Sequence, residues 1–208
     1  MRIITWNCKM AYRNKAEHIK QYQPDIVVVP ECEKFGEQTT KQLWFGDNKN
    51  KGLGIFSYKD YELEIHPQYN PLFRYVILIK VMGKIEFNLL AIWAMNDTTN
   101  VKQRYIGQVY SAINYYKNLL EKPIIIVGDF NWNVIWDKKP DYPLCGTLGD
   151  TISILKNKHV FSTYHQHTKD EFGKETKSTL YMYHRKNKPY HIDYCFACKL
   201  PWAEAHSV

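Results

Sequence analysis

A chain of 208 residues with 45% hydrophobic content and a net charge of +7 can bury one sizeable core, and its length favours one domain over two. No stretch approaches 18 apolar residues, which excludes a membrane-spanning helix, and the N-terminus enters a strand pattern without the basic and apolar segments of a signal peptide. The odd set of cysteines, Cys8, Cys32, Cys145, Cys195 and Cys198, reads more simply as thiols in a reduced cytoplasmic setting than as a disulfide framework.

In chain order, residues 2–7 predict a strand and residues 13–22 a short helix that stops before Pro24. Residues 25–30 are the next strand, and 36–45 read as helical. Residues 52–57, 61–66, 75–82 and 85–94 follow as consecutive strands, with Met82-Gly-Lys-Ile85 as a hairpin turn, so the pairing is expected to be antiparallel. Over residues 101–120, Tyr105, Val109, Ala112, Ile113, Tyr116 and Leu120 recur at helical spacing, and Pro123 follows the end.

The run Pro123-Ile-Ile-Ile-Val-Gly-Asp-Phe-Asn131 carries the most information. Its β-branched residues Ile124 to Val127 suit a strand covered on both faces, and Gly128 permits a turn or a close approach where the strand stops. Asp129 and Asn131 then arrive together at its end: an acid that can polarise water or hold a metal, and an amide that can bind a phosphoryl oxygen or orient the acid. The plainer alternative is a strand closed by an Asx-type turn. Two further apolar strands end in the same way, Met1-Arg-Ile-Ile-Thr-Trp-Asn-Cys8 on Asn7 and Pro24-Asp-Ile-Val-Val-Val-Pro-Glu31 on Glu31. Functional sites in open α/β sheets gather at strand ends, and Mg²⁺ takes oxygen from one or two carboxylates plus water and phosphate, a role that suits Glu31 and Asn7.

Beyond Asn131, residues 132–146 read as irregular, 150–156 as a helix, and 160–164, 178–184 and 190–197 as strands. The polar segment 165–177 between them is either a loop over a site or a solvated connection. Cys195-Phe-Ala-Cys198 has metal-knuckle spacing but no second pair, and its strand context sends alternate residues to opposite faces. His165 and His167 alternate so that a strand would put both on one side, but no third ligand accompanies them. The positive charge, interleaved with Tyr and Trp, suits a polyanionic partner with bases to stack.

The motifs Thr5-Trp-Asn7, Pro30-Glu31, Gly52-Leu-Gly-Ile-Phe-Ser57, Gly128-Asp-Phe-Asn131 and His191-Ile-Asp-Tyr194 occur in the order of the endonuclease/exonuclease/phosphatase superfamily, which the chain resembles over nearly its whole length. This superfamily includes exonuclease III-like repair enzymes, DNase I, neutral sphingomyelinases, inositol polyphosphate 5-phosphatases and deadenylases. The resemblance implies an α/β, DNase I-like fold, a two-layer β-sandwich flanked by helices on both outer faces, as a single domain over 1–208. It implies a metal-dependent phosphodiester hydrolase, most simply a nuclease acting on DNA or RNA through attack of water on phosphorus, with Mg²⁺ or Mn²⁺ as cofactor. Glu31 would be the principal metal ligand with Asn7 beside it, Asp129 would orient and deprotonate the water, and Asn131 would hold phosphate or that carboxylate. Asn96 matches a phosphate-contacting amide, and His191 is either a phosphate contact or a structural hydrogen-bonding group. Alternatives are a phosphatase or phospholipase-type phosphoesterase, and an inactive nucleic-acid-binding member.

Several positions depart from the family pattern. Asp193 matches the acid that orients a His from a C-terminal Ser-Asp-His signature, yet the chain carries no such signature and ends Ala205-His206-Ser207-Val208. His206 lacks the preceding Asp, so the role does not transfer to it, and the expectation is a chain cut short or a non-catalytic member. Lys9 stands where repair enzymes carry an Asp. Trp93 stands where they carry a Tyr and DNase I a His, and an indole can pack or stack but cannot act as acid or base.

Overall fold

The computed structural model describes residues 1–34, 36–138 and 143–198, so His206 and the C-terminal end lie outside the described residues. The chain forms two compact units, Met1–Trp93 with Ile125–Asp129, and Ala94–Ile124 with Phe130–Val208.

In the first unit, β1 (Ile3–Thr5) runs parallel to β2 (Ile26–Cys32), which pairs antiparallel with β4 (Lys51–Ser57), and β3 (Gln42–Asn48) closes the order β1-β2-β4-β3. Strand β2 is apolar from Ile26 to Pro30 because both of its faces are covered there. Val27, Val29 and Cys32 pack with Cys8, Tyr12, Phe56 and with Ala16 and Ile19 of α1 (Ala16–Lys20). Ile26 and Val28 alternate onto the opposite face, where β2 and β4 meet β7 (Phe87–Trp93). That strand belongs to a second sheet in which β5 (Glu62–Ile65), β6 (Val76–Met82) and β7 pair antiparallel in sequence, as the hairpin pattern predicts, and β8 (Ile124–Asp129) lies beside β7. Every residue of β7 and β8 is buried. Gly128 is required there: at φ +146° it lies so close to β7 that a Cβ would stand 1.9 Å from the Ile92 carbonyl oxygen.

In the second unit, α2 (Ile106–Tyr115) packs on α3 (Leu148–Asn157), and α3 packs on β9 (Val160–Ser162). Strand β9 pairs antiparallel with β12 (Asp193–Cys198). Helix α3 starts at a capping box in which Thr147 Oγ1 accepts from the Asp150 N–H at 3.1 Å and Asp150 Oδ2 accepts from the Thr147 N–H at 3.0 Å. The short α4 (Thr163–Thr168) covers β9 and β12, and β10 (Leu180–Tyr181) pairs with β11 (Pro189–Tyr190).

Four expectations need correction. Residues 36–45 do not form a helix; the segment enters β3, where Leu43 and Phe45 pair opposite Ile55 and Leu53 of β4, because an open strand edge offers more than a polar segment without an apolar stripe. The helix expected over 101–120 is three pieces, since the Lys102 carbonyl accepts from the Cys145 N–H and the Tyr105 N–H is drawn to the Met95 carbonyl. The strands expected over 178–184 and 190–197 are interrupted, because the Ile192 and Asp193 N–H groups bond the Thr179 hydroxyl instead of a neighbouring strand. His165 and His167 lie on α4, not on a strand, so two positions apart they diverge: His165 is buried and His167 is exposed. No helix among the described residues is long and apolar enough to cross a membrane.

Gly128→Ala is expected to destabilise the fold by about 3 kcal/mol, through positive-φ strain and a methyl forced against β7. Urea denaturation of the variant beside the parent measures it, and an unchanged midpoint would show that the two strands can separate without cost.

Candidate active site

The first unit assembles part of the predicted site. Beyond β1 the parallel ladder continues, with the Trp6 N–H on the Val28 carbonyl and the Cys8 N–H on the Pro30 carbonyl, so Asn7 is delivered beside the end of β2. Its amide Nδ2 donates to Asp129 Oδ2 at 2.9 Å, and its Oδ1 accepts from the Lys9 N–H at 3.1 Å. Asp129 is 1% exposed, and a carboxylate that deep needs such a donor. The structure therefore joins Asn7 to Asp129, the strand-end acid, across 122 positions of sequence.

Glu31 interrupts the β2–β4 ladder. The register shifts between Pro30 and Cys32, and Glu31 itself has φ 59°, so the carboxylate is turned out of the pleat by a bulge. Its Oε1 pairs with Lys51 Nζ at 3.3 Å, and the same ammonium lies 5.4 Å from the centre of the Trp93 ring. Trp93 is buried and packs on Tyr75 with ring centres 4.8 Å apart. Lys9, Met10 and Ala11 all adopt positive φ in the turn between Asn7 and α1, and Lys15 Nζ holds it by bonding the carbonyls of Cys8 at 2.6 Å and Met10 at 2.9 Å.

As for the cation that the resemblance implies, Glu31 already attracts one, the ammonium of Lys51, and hard oxygen donors are what this edge offers. Among the described residues no three His, Cys, Asp or Glu side chains gather to hold a metal. That donor set fits Mg²⁺, which uses few protein carboxylates and completes its shell with water and phosphate, and it does not fit a closed Zn²⁺ site. The Cys195 and Cys198 pair is structural: Cys198 Sγ accepts from the Ile124 N–H at 3.4 Å, and burial pushes the Cys195 thiol up to about 11.

In the second unit, Asn131 at φ 48° donates through Nδ2 to the Ala94 carbonyl at 2.8 Å and so fixes the start of the loop that carries the exposed Asn96. Asp193 opens β12, its N–H on Thr179 Oγ1 at 3.2 Å. His191 is buried, with Nδ1 on the Lys177 carbonyl at 2.9 Å, which places the proton on Nδ1; its Nε2 has no hydrogen-bond partner among the described residues. Burial pushes its pKa below the ordinary histidine value, against opposing contributions from that carbonyl and Glu175.

Sequence reasoning missed the network behind His191. Asn133 Nδ2 donates to the His191 carbonyl at 2.9 Å and to Glu175 Oε2 at 3.1 Å, while Glu175 Oε1 accepts from His165 Nε2 at 3.3 Å and from the Gly173 N–H at 3.0 Å. His165 Nδ1 in turn bonds Ser162 Oγ at 2.7 Å. Burial alone would raise the Glu175 carboxyl, but the donors from His165, Gly173 and Asn133 outweigh it and hold the group at about 2. The spacing of Asn131 and Asn133 was the one available signal. Within segment 165–177, Asp170 Oδ2 accepts from the Tyr164 hydroxyl at 2.6 Å and the Thr176 N–H at 2.8 Å, closing the loop on itself.

The model of the endonuclease/exonuclease/phosphatase family matches residues 4–208. No curated protein matches the chain by sequence. Among solved structures, an AP endonuclease from Archaeoglobus fulgidus is similar at 15% identity and a TM-score of 0.63, covering 95% of this chain and 86% of that one. A humanized D. rerio TDP2 is similar at 16% identity and a TM-score of 0.63, covering 97% and 84%. A 3′-5′ exonuclease (NExo) from Neisseria meningitidis is similar at 14% identity and a TM-score of 0.56, covering 95% and 87%. These likenesses show the fold, and the expected DNase I-like α/β class with mixed sheets and flanking helices is the one the chain adopts.

Glu175 and His191 both titrate below their ordinary values in the folded state, so the unfolded chain takes up protons first and stability falls with falling pH. The loss is expected to begin below about pH 6.5 through His191 and to continue between about 4.5 and 2 through Glu175, the latter worth on the order of 3 kcal/mol. Denaturant melts from pH 7 to 3 check this. Glu175→Gln should be less stable at pH 7 and show a flatter acid limb, and a parallel limb would dismiss the carboxylate as its source.

Proposed function

The chain belongs to the endonuclease/exonuclease/phosphatase family, and we propose that it is a metal-dependent phosphodiester hydrolase that cuts nucleic acid by attack of water on phosphorus. The observation that carries this reading is the Asn7–Asp129 hydrogen bond at 2.9 Å next to the Glu31 bulge, an acid held in orientation beside an acid turned out of its strand. Glu31, with the Asn7 amide oxygen, would hold Mg²⁺ or Mn²⁺, which supplies neutralisation of the charge developing on the phosphoryl oxygens.

Asp129 accepts the proton of the attacking water as the water oxygen bonds phosphorus and the ester P–O bond breaks. Asn7 keeps Asp129 from rotating away, because its own amide is fixed by the Lys9 N–H. The leaving oxygen takes its proton from solvent. In the second unit, Asn96 and Asn131 are assigned to phosphate oxygens and Asp193 as an orienting carboxylate, while His191, neutral and with its one proton on the Lys177 carbonyl, is assigned as a structural hydrogen-bonding group. The net charge of +7 supports a polyanionic substrate over a small phosphoester, and five free thiols among the described residues support action in the reducing cytoplasm.

The chain and its Glu31→Gln and Asp129→Asn variants should be incubated with supercoiled plasmid, single-stranded RNA, sphingomyelin and an inositol phosphate, in Mg²⁺, Mn²⁺ or EDTA. Metal-dependent nucleic-acid cleavage is expected, lowered about 10²-fold or more in either variant with melting temperatures preserved. Turnover of the lipid or inositol phosphate in place of nucleic acid would move the chain to the phosphoesterase branch. Variants as active as the parent would sink the assignment of both acids.

A further inference from the structure

Lys51 lies at a junction that the roles above leave unused. It opens β4, one residue before Gly52, which pairs with Cys32 beside the Glu31 bulge, and its ammonium is caught between two negative surfaces, the Glu31 carboxylate at 3.3 Å and the face of Trp93 with its centre at 5.4 Å. The ring cannot move to follow it: Trp93 is 1% exposed and packs on Tyr75, whose other neighbour is the Arg74 guanidinium 5.2 Å from its centre. Arg74 in turn pairs with Asp47, which also bonds the Tyr75 hydroxyl. Cation, ring, ring, cation and carboxylate thus alternate through the first unit and fix the plane on which Lys51 rests.

The side chain of Lys51 itself remains 39% exposed, and that of Glu31 is 21% exposed, so the pair is open to solvent at its outer side. A surface ion pair of this kind adds little to stability, and the stem of a lysine can swing its ammonium through several ångströms without disturbing the strand. Its position is therefore better explained by what the ammonium meets than by what it holds together.

We propose that Lys51 is a phosphate-binding residue of this site: its ammonium rests on Glu31 and the Trp93 face when the site is empty and bonds a phosphoryl oxygen of the substrate when a divalent ion takes over Glu31. The inference rests on the reading of Glu31 as metal ligand. Trp93 then has a task an indole can perform, since it cannot move a proton but can hold a cation. Lys51 and the divalent ion compete for one carboxylate and cooperate on one phosphate.

That double relation gives opposite signs to two measurements on Lys51→Met, with Lys51→Arg as the charge-retaining control. Calorimetry with Mn²⁺ alone should show binding about fivefold or more tighter in Lys51→Met than in the parent, because a like charge beside the ion is gone. Binding of a 12-residue single-stranded oligonucleotide with a cleavage-resistant phosphorothioate backbone, followed by anisotropy across a salt series at a fixed Mn²⁺ concentration, should weaken, with a salt dependence shallower by about one phosphate contact. Lys51→Arg should retain the parental slope. Unchanged oligonucleotide binding in Lys51→Met would overturn the proposal, as would metal affinity that falls together with melting temperature, which is the mark of a merely structural lysine. A parent chain that binds the oligonucleotide but no Mn²⁺ would count against Glu31 as metal ligand while leaving the phosphate contact of Lys51 judged by the salt series.

Discussion

The hydrogen bond from the Asn7 amide to the Asp129 carboxylate is the constraint on which the arrangement of the strand ends in the first unit depends. A carboxylate at 1% exposure is stable only with donors in place, and Asn7 is fixed by the parallel ladder between β1 and β2. The bond therefore ties the end of one sheet to the end of the other, with Gly128 allowing β8 to come near enough to β7 for the chain to arrive there. Packing positions the acids, and the amide fixes the direction of one of them.

Unfavourable backbone geometry collects around the same edge. Lys9, Met10, Ala11 and Glu31 all have positive φ without being glycine, and each such residue costs on the order of 1–3 kcal/mol unless its surroundings hold it. Here they do. The Met10 N–H bonds the Glu31 carbonyl at 3.0 Å, Lys15 holds two carbonyls of the turn, and Glu33 accepts from the Tyr12 and Arg13 N–H groups at 2.6 and 3.0 Å. Burial would raise the Glu33 carboxyl, but these N–H donors and the Arg13 guanidinium hold it below its ordinary value, so its charge stays available to anchor the turn. A strained loop clamped this thoroughly keeps Asn7 and Glu31 in one geometry.

Much of this was legible in the sequence, for identifiable reasons. The strands β2, β6 and β8 announce themselves through β-branched runs and β7 through an apolar one, since burial on both faces removes any need for polar alternation. Asn7, Glu31 and Asp129 stood out because polar groups that end apolar strands have little to gain from packing there. What escaped was decided by partners remote in sequence. Strand β3 forms because β4 offers it an edge, and residues 42–48 contain nothing that states this alone. The Asn133–Glu175–His165 network joins three segments that look like ordinary polar loop, and Glu175 shows its importance only once His165, Gly173 and Asn133 surround it. The bulge at Glu31 was equally hidden, because a register shift is a property of two strands and not of one.

The cysteines complete the electrostatic picture by what burial does to them. Cys8 follows Asn7 directly, and a thiolate there would compete for any cation near Glu31. Burial pushes its thiol up to about 11 in spite of the opposing charge of Lys15, and it pushes the Cys32 thiol, beside the same bulge, higher still. Both sulfurs therefore remain protonated and poor ligands at neutral pH, while the oxygens of Glu31, Asn7 and Asp129 stay as donors at the strand ends. Burial thus silences the softer ligands next to these oxygens. The same burial that makes the core stable decides which of its neighbouring atoms are free to do chemistry.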